Sequence, residues 1–90
     1  MKFVSDFSSA YYIRLSVEDR AGVLAKISGI FAKYGISIVE LAQKAGVEGE
    51  THVPLIIITH KTTENSVKNT VAKINATEFG KVEAVIRVEQ

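Results

Sequence analysis

DRAGVLAKISGIFAKYGISI, Asp19–Ile38, is the stretch that decides the fold of this 90-residue chain. It opens in an acidic turn, Glu18–Ala21, followed at once by Gly22, and ends, past a further glycine, in β-favouring residues. Between them Val23, Leu24, Ile27, Ile30, Phe31 and Tyr34 recur at helical spacing and form one broad apolar stripe. Lys26, Ser28 and Lys33 lie off the stripe. The spacing predicts a helix over Val23–Tyr34. Gly35 then stands where a chain leaving a helix needs a residue that tolerates positive φ.

Upstream of this stretch, Tyr11–Val17 alternates. Ile13, Leu15 and Val17 share one side, and Tyr12, Arg14 and Ser16 share the other, the pattern of a strand with one face on a core. Downstream, Ile36–Lys44 favours a strand whose two faces are poorly separated, which fits a sheet edge meeting a partner. Gly46–Glu50 holds two glycines and two acids and predicts a hairpin connection. His52–His60 is apolar on both parities, so it is expected to be a central strand buried on both faces. Pro54 lacks a ladder donor, which places it at that strand's start or at a bulge. Thr63 is a candidate N-cap with Glu64 in the first turn, and Val67, Val71 and Ile74 continue a second helix. The last strand alternates Val82, Ala84, Ile86 and Val88 with Glu83, Val85 and Arg87.

The predicted order is β-α-β-β-α-β. Right-handed crossovers turn it into an α+β, ferredoxin-like sandwich: a four-stranded antiparallel sheet with both helices on one face, and the first and third strands central. Residues 1–9 read as a linker or a cut end, and residues 10–90 as one domain.

Composition narrows the function classes. A chain that is 47% hydrophobic and 23% charged is too apolar for disorder. Without cysteine there is no disulfide framework or thiolate metal site, which agrees with a cytoplasmic setting. Eleven basic and ten acidic residues are scattered, with no basic block for nucleic acid. The third strand has no aromatic residue on which an RNA base could stack. Val53–Ile58, the longest apolar run, is far short of the roughly 20 residues of a membrane span. His52 and His60 are eight residues apart on one strand, about 26 Å at its usual rise, and do not share an ion. No G-x-G-x-x-G crosses the first strand-to-helix turn, so no cofactor site is expected in this chain.

The turn ahead of the first helix remains. Backbone N–H groups at a helix start are unpaired and carry partial positive charge, which suits a carboxylate. Gly22, lacking Cβ, leaves room for close approach, and Asp19 suits an ammonium group. Together they match the two ends of a free amino acid. The same two residues also serve simply to shape a tight turn, and both readings stand on these residues.

DRAGVLAKISGIFAKYGISI resembles the signature of the ACT domain. In that signature an Asp or Asn, a short turn with Gly and a Val/Ala-Leu pair open the first helix, and Gly-x-Asn/Ser-Ile starts the second strand. The resemblance extends from about Ala10 to Glu89. With VPLIIITH, the Thr-Glu helix start and the IRVE ending, the chain is most similar to the carboxy-terminal ACT domain of the homoserine dehydrogenases.

This resemblance implies a non-catalytic regulatory domain that binds a small amino acid, threonine for those enzymes, as a homodimer joined through sheet edges or helix-opening loops. It implies NAD(P) only in catalytic domains outside this chain. It also implies a ligand-binding set: Asp19 on the loop, Ala21, Gly22, Val23 and Leu24 as the helix-opening backbone, and Ser37 and Ile38 reaching over from a neighbouring subunit. Ala21 stands where Pro is frequent, and Ser37 stands where several ligand-binding relatives carry Asn, one amide fewer. A regulatory domain of another amino-acid-pathway enzyme, such as phosphoglycerate dehydrogenase, fits the same signature, as does a dimerisation module without ligand.

Overall fold

Apolar residues of two periods meet in one layer between sheet and helices. The computed structural model describes residues 8–43 and 51–88. The elements run β1 (Ser8–Glu18), α1 (Val23–Lys33), β2 (Ile38–Gln43), β3 (His52–Thr59), β4 (Thr62–Thr63), α2 (Glu64–Asn75) and β5 (Gly80–Val88). The sheet is antiparallel, with β3 and β1 central, β2 outside β3, and β5 outside β1. The predicted hairpin connection Gly46–Glu50 lies outside the described residues.

Alternation in β1 sends Tyr11, Ile13, Leu15 and Val17 into the core, where Val53, Leu55 and Ile57 of β3 join them. The stripe of α1 contributes Val23, Ile27 and Phe31, and α2 contributes Val67 and Ile74. The second helix also buries Thr70, whose hydroxyl donates to the Ser66 carbonyl at 2.9 Å, so the polar atom enters the core already satisfied. Thr63 caps α2 as expected, accepting the Ser66 N–H at 3.2 Å. Gly35 follows α1 with φ 75, the left-handed conformation its position called for.

Three features differ from the pattern reading. The third strand is central, but only its helix side is fully buried: Pro54 is exposed, and Ile56 and Ile58 are half-buried on the side no helix covers. Pro54 sits near the strand start, opposite Ser16 of β1, and among the described residues the last β2–β3 pair is Gln43–Leu55. Second, β5 does not alternate uniformly. A bulge sets Arg14 opposite Ala84 and Leu15 opposite Val82, leaving Glu83 as the extra residue. Beyond it Val85 pairs with Ile13 and turns to the helix side, while Ile86 pairs with Tyr12 and is 55% exposed. One inserted residue moves every following side chain to the other face. Glu83 meets the Arg14 guanidinium at 3.2 Å.

Third, β4 is an additional two-residue strand pairing with Ser8 and Ser9. It continues the line of β3 along β1 after a break at His60 and Lys61. At that break the Tyr11 N–H donates to the buried Thr59 hydroxyl at 3.0 Å in place of a ladder carbonyl.

Candidate functional site

The turn from β1 into α1 is pinned at its base by backbone bonds. The Glu18 N–H donates to the Phe79 carbonyl and the Asp19 N–H to the Thr51 carbonyl, both at 2.9 Å. Those bonds tie the turn to the end of α2's loop and to the start of β3, so its shape is set by three segments. Arg20 folds back, its N–H on the Glu18 carbonyl at 3.0 Å and its guanidinium 2.9 Å from Glu18 Oε1. That oxygen is closed to solvent and has no well-aligned hydrogen bond, which leaves the Arg20 charge as its compensation.

Gly22, with φ 88, is the N-cap residue, and no side chain caps the helix. The Val23 N–H reaches back to the Arg20 carbonyl at 3.3 Å and the Lys26 N–H to the Gly22 carbonyl at 3.1 Å. Among the described residues the N–H groups of Leu24 and Ala25 have no acceptor. A Cβ built on Gly22 would meet nothing within 4 Å, so the space above the helix start is open. Two free donors at the positive end of a helix, with open space and an exposed carboxylate three residues before Gly22, can take the two charges of a zwitterion.

The seven residues singled out in the sequence fall into two groups. Asp19, Ala21 and Gly22 are exposed in the turn. Val23 and Leu24 follow, but the Val23 side chain is only 2% exposed and belongs to the core, and its N–H is already used. The free donors there are those of Leu24 and of Ala25, a residue the sequence reading passed over although every helix leaves its first four N–H groups unpaired. Glu18, Arg20 and Thr51 were also passed over; their role emerges only from the long-range bonds that hold the turn.

Ser37 and Ile38 lie past the opposite end of α1. A helix of 11 residues spans about 16 Å, so one chain does not bring the two groups together. Ser37 is exposed, its carbonyl accepting the His60 N–H at 2.9 Å, and Ile38 is half-buried at the start of the edge strand β2.

Two of the hollows among the described residues are well formed. One of about 660 Å³ lies between α2 and β5, and one of about 370 Å³ lies on the bare side of the sheet around Tyr12, Arg14 and Pro54. Neither touches the start of α1.

With the uncapped glycine start of α1 in a βαββαβ frame, the sequence comparison becomes decisive: the ACT-domain profile matches residues 11–79. The chain belongs to the ACT-domain family. The ACT domain is 39% identical over 83 residues to a homoserine dehydrogenase of Pseudomonas aeruginosa, covering 91% of this chain and 19% of that enzyme. It is 41% identical over 73 residues to a homoserine dehydrogenase of Methylobacillus glycogenes, covering 81% of this chain and 18% of the relative. The chain thus spans about a fifth of the length of these relatives.

The crystal structure of a homoserine dehydrogenase from Thiobacillus denitrificans superposes with a TM-score of 0.79 at 40% identity, over 92% of this chain and 18% of that one. The ACT domain of a GTP pyrophosphokinase from Chlorobium tepidum superposes with a TM-score of 0.64 at 17% identity, over 90% of this chain and 99% of that one, a likeness of fold alone.

Proposed function

We propose that this ACT domain is the amino-acid-sensing regulatory domain of a homoserine dehydrogenase and that threonine is its effector. The observation that carries the reading is the start of α1: two unpaired N–H groups above open space, beside the exposed Asp19, in a chain about 40% identical to part of such enzymes. The threonine carboxylate takes the Leu24 and Ala25 donors, and its ammonium takes Asp19. A second copy, joined along the β2 edge, supplies Ser37 and Ile38 and closes the site over the ligand. NAD(P) and the redox chemistry belong to the remaining four-fifths of the enzyme.

Regulation follows from linkage. A ligand that binds only the paired form favours pairing by RT ln(1 + [L]/Kd), about 2.7 kcal/mol at a hundredfold excess over Kd. Pairing then shifts the attached catalytic portion between states to the extent that the two states differ in affinity for the ligand.

The test is calorimetric titration of threonine, with serine, lysine and methionine as controls. Threonine binds most tightly, and Asp19→Ala weakens it about tenfold, as loss of one charge-assisted bond does. If Asp19→Ala and Gly22→Leu both leave the affinity unchanged, the site is elsewhere. The alternative, a pairing module without ligand, is favoured by Ser37, whose hydroxyl offers fewer hydrogen bonds than an amide. It predicts a stable dimer that releases no heat with any amino acid.

A further inference from the structure

The hollow between α2 and β5 is on the far side of the domain from the start of α1, and its walls are chemically sorted. Tyr11 is only 5% exposed yet lines it, and among the described residues its hydroxyl has no hydrogen-bond partner. Arg87 stands opposite Tyr11 in the β1–β5 register, so both side chains rise on the helix side with Cβ atoms about 5 Å apart. Lys68 and Glu64 line the same end from α2, one helical turn apart. Among the described residues neither they nor Arg87 is in an ion pair. The floor and far wall are Val67, Val71 and Val85, and Val85 remains 41% exposed although it faces the helices. The groove forms where α2 packs on the edge strand β5, because the bulge at Glu83 turns Val85 and Arg87 to the helix side.

We propose that this groove is a second ligand site, for a small amphiphilic monocarboxylate. The carboxylate lies between Lys68 and Arg87 and accepts the Tyr11 hydroxyl hydrogen, and a branched apolar body rests on Val67, Val71 and Val85. The Tyr11 ring is nearly buried, but its hydroxyl is not among the buried unpaired atoms: it opens into the hollow and, among the described residues, has no protein partner, so its hydrogen is free for a ligand, a feature that a bare apolar groove would not have. The volume of about 660 Å³ lies in the usual range for small-ligand sites. Charge selects the class. Lys68 and Arg87 against Glu64 leave one net positive charge, which a single carboxylate neutralises, and Glu64 at the mouth repels a second one. This site does not depend on the reading of the α1 turn.

The experiment is an amide-shift titration of the isotope-labelled 90-residue chain with 4-methylpentanoate, leucine and glutarate, alongside sedimentation of the same samples. The expected result is saturable shifts in the first turns of α2 and the last residues of β5 with 4-methylpentanoate. Glutarate is at least tenfold weaker. Tyr11→Phe weakens binding several-fold and Arg87→Gln about tenfold, with unchanged circular dichroism. Asp19→Ala leaves the titration as it was, which separates this site from threonine binding. Several results would overturn the proposal: no saturable shift, equal binding of glutarate, or leucine binding more tightly than its deaminated counterpart. So would a dimer that Val85→Lys dissociates and that no carboxylate perturbs, since the groove would then be a contact between copies.

Discussion

Two glycines and a third at the same helix carry different physics, and substitution by alanine separates them. Gly22 and Gly35 hold φ of 88 and 75, where any residue with a Cβ is strained. Neither has a neighbour within 4 Å of a built Cβ, so the whole cost is backbone conformation, about 1–2 kcal/mol each. Gly29 lies inside α1 with equally open surroundings, so Gly29→Ala stabilises by about 0.5–1 kcal/mol. Urea unfolding of the three variants shows opposite signs. Thr59 makes a second residue-scale prediction. Thr59→Val keeps the shape but leaves the Tyr11 N–H buried without an acceptor, a loss of about 1–3 kcal/mol in the same measurement.

At the scale of elements, what the sequence revealed depended on whether a side-chain period survived. The 3.6 period of α1, the alternation of β1 and the two-sided apolar run of β3 were legible, and with them the topology and central strands. The bulge was not, because Glu83 carries none of the glycine signals that mark some bulges and the kink arises from pairing with Arg14 and Leu15. Val82 and Ile86 therefore look equivalent in the sequence but are not in the fold. Val82 packs against the core and Ile86 points away from the helices. Val82→Lys is expected to cost about 1–3 kcal/mol and Ile86→Lys less than about 0.5, read by thermal unfolding. The candidate site was legible in the same limited way. Helix-start donors follow from any N-terminus, but that Val23's N–H is used and Ala25's is free depends on Arg20 folding back.

For the whole molecule, neither of the two hollows described, between α2 and β5 and on the bare side of the sheet, is lined by the start of α1. The groove on the opposite flank depended on how α2 sits against a bulged edge strand, which no local pattern encodes. The central claim is that threonine binds where two copies meet and thereby favours their meeting. Sedimentation equilibrium of the 90-residue chain with and without threonine tests it most directly. The account predicts a monomer–dimer equilibrium that saturating threonine shifts towards dimer by tenfold or more, an effect lost in Asp19→Ala. An association constant that threonine leaves unchanged, while calorimetry shows it bound, would contradict the claim.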